Sequence, residues 1–217
     1  MVDGGWHFVF HHPPSTIHLY IHGAIVPPRP ARRMKRVSTG PGRPAPITPP
    51  TQGTSMKGQD AIRTALQTTS HLLNWYVEDL SDADLLMRPA PGANHIAWQL
   101  GHLVGAESHL GGMIGFSYPA LPAGFAEQHG KETAQQDPPK GFSAKKQYLE
   151  LFNQRRQATI DQLGKLSEAD LDRPTEGNMA KFAPTHGALL LLLANHTTMH
   201  SGQFSVVRRK LGKPVLF

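Results

Sequence analysis

Two histidines four residues apart, His196 and His200, stand in "HTTMHSGQ" within what reads as one continuous helix. Four residues advance an α-helix by about 400° and about 6 Å, so both imidazoles project to one side and can converge on a single ion. Neutral imidazoles suit Zn²⁺, Ni²⁺ and Fe²⁺, and a third ligand then has to come from another element. A second series, His95, His102 and His109, recurs at intervals of seven, and two turns return a side chain to nearly the same helical face. His102 is the best third ligand, because in "WQLGHL" it has Trp98 four residues before it and Leu103 beside it, an apolar setting. His95 reads as a cap or rim residue and His109 as solvent-facing, while His71, His129 and His186 lack sequence partners and read as structural. Three protein ligands with one open position is the layout of a catalytic rather than a structural metal site. Spacing alone leaves open the alternative of two ordinary helix histidines.

Several other chemistries are excluded by residue type. In the zincin motif HExxH the residue after the first histidine is the general base, but here it is Thr197. Ser201 follows His200 inside the helix with no Gly-x-Ser-x-Gly elbow. Neither a Walker loop nor a dinucleotide fingerprint occurs. The chain has no cysteine, which rules out disulfides, thiolate metal sites and cysteine nucleophiles.

The elements that must position these histidines are helical. Residues 59–80 place Ile62, Leu66, Leu73, Val77 and Leu80 on one stripe. Residues 94–115 start at Asn94 as N-cap and carry Ile96, Leu100, Leu103, Val104 and Leu110. Residues 144–166 align Tyr148, Leu151, Phe152, Ile160 and Leu163, and residues 185–212 run from Thr185 as N-cap to Gly212 as C′. The first half of this last helix is apolar on every face and is expected to be central. Between the second and third helices, residues 116–142 form a long proline-broken loop, a kind that tends to be functional or mobile. "SDADLLMRP" at 81–89 is echoed by "SEADLDRP" at 167–174, two similar helix exits. The fold class expected is an all-α four-helix bundle over 56–217.

The first 55 residues differ in kind. They hold ten prolines and six Lys/Arg against one acid, whereas the rest of the chain is nearly balanced in charge. Such a composition cannot bury enough apolar surface to offset chain entropy, so residues 1–55 are expected to be a disordered extension, with Met56 a plausible start and 15–26 at most a lone short strand. The pI of about 9.7 belongs largely to this tail and points to no nucleic-acid partner. The longest apolar run, "GALLLLLA", falls far short of the roughly 20 residues of a membrane span, so no membrane association is expected and the protein is expected to be cytoplasmic.

The segments "NHIAWQLGHLVGAESH" and "ANHTTMHSGQFSVVRRKLGKP", with the proline-bounded "LMRPAPGANHIAWQLGH", resemble the DinB-like (DinB/YfiT-type) family of metal-dependent enzymes over residues 58–217. The family pattern, one histidine in a W-x-L-x-H context and a His-x-x-x-His-x-Gly-Gln element, maps onto His102, His196 and His200. The resemblance implies an up-and-down four-helix bundle, frequently a homodimer, with a three-histidine divalent-metal centre, often Zn²⁺ or Ni²⁺. Relatives include thiol-dependent isomerases and transferases using mycothiol or bacillithiol, and domains of ergothioneine-pathway sulfoxide synthases.

On this reading a metal with an open position lowers the pKa of bound water or thiol and supplies the nucleophile. Asn195 and Gln203 are candidates to orient an imidazole or a substrate. Glu107 is a poor base or extra ligand, lying about 140° round the helix from His102. Gly202 costs about 1 kcal/mol against Ala in a helix, which close helix approach or room for a ligand would explain. The expected function is that of a divalent-metal-binding thiol transferase or hydrolase acting on a small molecule. The alternative is a non-catalytic metal or small-ligand binding module.

Overall fold

In the computed structural model, residues 55–137 and 139–216 are described; the expectations for residues 1–54 lie outside them. The described residues form eight α-helices, α1 Gly58–Val77, α2 Asp82–Leu85, α3 Ile96–Gly112, α4 Phe125–Gln128, α5 Lys131–Ala134, α6 Lys145–Leu163, α7 Glu168–Leu171 and α8 His186–Lys210, with a 3₁₀ turn at Gly177–Lys181. Among the described residues the only β pairing is an isolated bridge between Pro174 and Thr185. The four long helices coincide with the four periodic segments, and every apolar residue assigned to the stripes of α1 and α3 is buried.

The ends form for local reasons. Thr185 accepts from Ala188 N, as expected of an N-cap. At the other end of α8, Gly212 has φ +68°, Lys213 N donates to Arg208 O and Gly212 N to Arg209 O, the paired bonds of a Schellman stop. The sequence echo proves to be one device used twice: Ser81 with Asp84 and Ser167 with Asp170 each form a reciprocal capping box on a four-residue helix. The cap of α3 is His95, whose side chain accepts from Trp98 N at 3.2 Å, one residue later than the expected Asn94.

Helix directions follow from the contacts between ends. Lys145 at the start of α6 donates to carbonyls at the end of α1, and Gln59 at the start of α1 donates to Leu163 O at the end of α6, so these two helices are antiparallel. Arg208 in the last turn of α8 reaches Tyr76 O in the last turn of α1, so α1 and α8 are parallel. Glu107 pairs with Arg156 and Ser117 with Gln162, so α3 runs parallel to α6. Extensive packing joins α1 to α8, α3 to α6, α3 to α8 and α1 to α6, which leaves α1 diagonal to α3 and α6 diagonal to α8.

This up-down-down-up order replaces the up-and-down bundle implied by the resemblance. Because α3 and α6 are parallel, the chain leaving α3 must travel back along a helix about 25 Å long before α6 begins. Residues 113–144 make that journey, which accounts for the length of the proline-broken segment and for the short helices α4 and α5 within it.

The most enclosed helix is α3, buried on nearly every face. The first half of α8 is less central than its composition implies: Leu189, Leu190 and Leu193 are buried, but Leu191 is 41% exposed. The remaining apolar core gathers Leu73, Val77, Leu100, Val104, Phe152, Phe204 and Val207 among others.

One polar cluster crosses this core. The Arg156 guanidinium, 2% exposed, donates to both oxygens of Glu107 at 2.9 Å, to Leu66 O at 2.9 Å, to Thr69 Oγ1 at 3.0 Å and to Thr197 Oγ1 at 2.9 Å. All five guanidinium N–H groups are thereby used. Removing one partner of a buried pair leaves an uncompensated charge, at a cost of about 3–5 kcal/mol. Glu107→Gln is therefore expected to lose about that much stability in urea unfolding, while Glu107→Met combined with Arg156→Met recovers most of it. A loss under about 1 kcal/mol for the single variant would show that the pair does not organise the core.

Candidate metal centre

The antiparallel packing of α3 on α8 brings His102 opposite His196 and His200, with the rings edge-on to one another. His102 Nε2 lies 3.2 Å from His196 Nε2, and His200 Nε2 lies 3.1 Å from the same atom. The ligand atoms of all three fall within 4.8 Å of one another, and among the described residues this is the group of histidines and carboxylates so disposed. His196 and His200 are buried and His102 is half-buried.

The donor set fits a cation. Three imidazole nitrogens at about 2.0–2.1 Å from a tetrahedral Zn²⁺ would stand about 3.3 Å apart, close to the two separations seen. A single cation at the centre of the three nitrogens would satisfy all of them at once.

The electrostatic setting agrees. Burial pushes His102 down to about 4, with a contribution from His129. Burial pushes His196 down to about 3, aided by His102 and the Arg156 guanidinium. His200 is held well below the usual imidazole value by burial and by its two neighbours. All three are therefore neutral at physiological pH, the form that binds metal.

The surrounding side chains hold this geometry. The Trp98 indole stacks on His102 with 5.1 Å between ring centroids and 7° between planes. Trp98 Nε1 donates to Gly130 O in the crossover segment at 3.1 Å. His200 Nδ1 meets Gln99 Oε1 at 2.7 Å. Gln99 thus makes the contact for which Asn195 and Gln203 were candidates; both of those lie on exposed positions of α8. Glu107 is committed to Arg156 and is not a ligand. Gly202 is exposed and faces open space, so no close helix approach explains it.

The other histidines separate from the triad. His71 is exposed, while His109 and His186 are partly buried. His95 is fully buried as the α3 cap rather than a rim residue. His129, 1% exposed, has Nδ1 2.7 Å from Phe125 O and Nε2 2.8 Å from Tyr148 Oη. Since the carbonyl only accepts, Nδ1 carries the proton and the Tyr148 hydroxyl donates to Nε2. Its ring packs against α3 at Gly101, where a Cβ would sit 2.0 Å from His129 Cδ2. The glycine in "WQLGHL" was the available sign: a helical glycine costs about 1 kcal/mol against Ala unless something needs the space.

An up-down-down-up bundle whose second and fourth long helices bring three neutral histidines together defines the class. The DinB superfamily family model matches residues 65–204, a span containing all three histidines, and the chain belongs to that superfamily. Two solved structures are similar to it in fold. A conserved protein of Enterococcus faecalis shares 18% identity, with a TM-score of 0.54 over 73% of this chain and 100% of that one. YfiT from Bacillus subtilis, described as a probable metal-dependent hydrolase with an unusual four-helix bundle topology, shares 16% identity, with a TM-score of 0.55 over 79% of this chain and 97% of that one. Comparison with curated proteins returns no significant match. No helix among the described residues is long and apolar enough to cross a membrane.

Two outcomes follow from the site's surroundings. Gly101→Ala is expected to displace His129, to cost about 1–3 kcal/mol in urea unfolding and to loosen the segment at Gly130 in hydrogen exchange; unchanged stability would refute the close fit. In the metal-free protein, His95, His102 and His196 are depressed to about 4, 4 and 3. Unfolded histidines titrate near 6.5, so the unfolded chain binds more protons below that pH and stability is lost as pH falls from about 6.5 toward 4. Asp79, Asp84 and Asp170 are lowered from 3.8, so their contribution is lost only at still lower pH. Urea midpoints measured from pH 7.5 to 4.5 should fall, and a flat profile would count against buried neutral histidines.

Proposed function

We propose that His102, His196 and His200 hold a divalent cation, with Zn²⁺ or Ni²⁺ favoured and Fe²⁺ accepted by the same donors, in a metal-dependent hydrolase acting on a small molecule. The observation that carries this reading is the convergence of three imidazole nitrogens, on two buried histidines and one half-buried, with no fourth histidine or carboxylate grouped with them among the described residues. Such a cation, when bound, supplies Lewis acidity and lowers the pKa of whatever completes its ligand set.

The chain's own residues do the rest. Three neutral imidazoles leave the charge of a divalent ion uncompensated, and Glu107, the one carboxylate on the two helices that carry them, is tied to Arg156, so the completing ligand is favoured as an anion. Trp98 and Gln99 hold two of the imidazoles in place. The description of YfiT supports hydrolysis. A thiolate would satisfy the same charge requirement, which keeps transfer of a low-molecular-weight thiol as the second reading.

Elemental analysis of purified protein tests the site: about one equivalent of metal per chain is expected in the wild type and little in His102→Ala. Equal substoichiometric metal in both would defeat the proposal. Hydrolysis of ester and amide probes should stop on chelation and return with Zn²⁺ or Ni²⁺; chelator-sensitive disappearance of a thiol with an electrophile, without hydrolysis, would favour the transferase. A metal-loaded protein inert in both assays would be a binding module.

A further inference from the structure

Gln99 is fully buried, three residues before His102 on α3. The two ends of its amide have opposite partners. Nε2 donates to the backbone carbonyl of Asn94 at 2.8 Å, and Oε1 lies 2.7 Å from His200 Nδ1. A carbonyl oxygen only accepts, so the Asn94 contact dictates which end of the amide is the NH₂. The oxygen then turned toward His200 is also only an acceptor, and His200 Nδ1 must carry the proton. A neutral imidazole has one such proton, so His200 Nε2, 3.1 Å from His196 Nε2, is a lone pair directed at the centre of the triad.

We infer that Gln99 is the positioning residue of the centre: anchored by Asn94 O, it locks His200 as the Nδ1–H tautomer and presents Nε2 as a ready ligand before any ion arrives. This inference rests on the triad being a metal site. Without the acceptor, the proton is released to Nε2, where it occupies the position a metal would take. An amide accomplishes the locking without placing a carboxylate beside the triad, where a negative charge would favour an imidazolium. Asn94 immediately precedes the α3 cap His95, so the two bonds of Gln99 together link the loop leading into α3 to α8.

The test combines ¹⁵N imidazole spectra of the metal-free wild type near neutral pH with Co²⁺ titrations of the wild type, Gln99→Met, Gln99→Glu and His200→Ala. The expected spectrum shows His200 protonated on Nδ1 and bare on Nε2. Gln99→Met, similar in size but without an acceptor, should mix the tautomers and weaken Co²⁺ binding roughly 10–100-fold. Gln99→Glu keeps an acceptor and should retain the tautomer and at least near-wild-type affinity. A wild-type His200 protonated on Nε2 overturns the inference, and this measurement needs no variant to fold. So does wild-type Co²⁺ affinity in Gln99→Met while His200→Ala loses it, a result that leaves the metal site standing. Absence of Co²⁺ binding by the wild type, with the Nδ1–H tautomer observed, would remove the metal reading and leave only the tautomer lock.

Discussion

A single guanidinium meets all four long helices. Arg156 on α6 binds Glu107 on α3, Leu66 O and Thr69 on α1, and Thr197 on α8. A buried charge tolerates little displacement of its partners, because each unmade bond exposes it to the full cost of desolvation. Hydrophobic packing alone lets helices slide by a turn with modest loss. The five donors of Arg156 remove that freedom. Thr197 lies between His196 and His200 in sequence, so the bond that sets the register of α8 also sets the height of the two histidines opposite α3. The position that denies the chain a zincin base is thus used to align the site.

The helix order has a similar consequence. Placing α1 parallel to α8, and α3 parallel to α6, leaves α3 and α8 antiparallel neighbours, the arrangement in which Gln99 faces His200 and His102 faces His196. It also requires the long return from α3 to α6. That return is anchored rather than slack: His129 fits the space left by Gly101, Tyr148 closes on His129, and Gly130 O receives Trp98. The crossover thereby supports the indole that stacks on His102.

The long helices, the caps of α8 and the pair His196 and His200 were legible because they depend on short-range periodicity, whereas His102 was reached through its setting in "WQLGHL" and the family resemblance. Apolar stripes at spacings of three and four, and histidines four apart, are properties of one helix at a time. The bundle order was not legible, since nothing in four amphipathic segments says which pair is diagonal; only the length of 113–144 hinted that two consecutive helices run the same way. Gln99, Glu107 and Arg156 were hidden because polar residues on a helix read as solvated until their partners, about 50 to 100 residues away in sequence, are brought opposite. Leu191 failed in the other direction: a leucine run reads as buried on every side, yet α8 has packed neighbours on α1 and α3 and turns this residue outward. Asn195 and Gln203 were natural choices as near neighbours of the pair along the chain, but the contact His200 makes crosses to α3.

Two layers of opposite character sit side by side in the core. In one, Glu107 and Arg156 cancel each other's charge and satisfy their hydrogen bonds among threonines and a backbone carbonyl. In the other, three imidazoles are kept neutral by burial, and the nearby Arg156 cation further disfavours protonation of His196. Had Glu107 faced the histidines, it would have stabilised an imidazolium and placed a proton where a ligand's lone pair is needed. Committing the carboxylate to arginine keeps the histidines unprotonated and leaves positive charge uncompensated once a divalent ion binds. The separation of these layers therefore links the stability of the bundle to the anionic ligand proposed for the site: the pair that holds the helices together also commits Glu107 away from the triad.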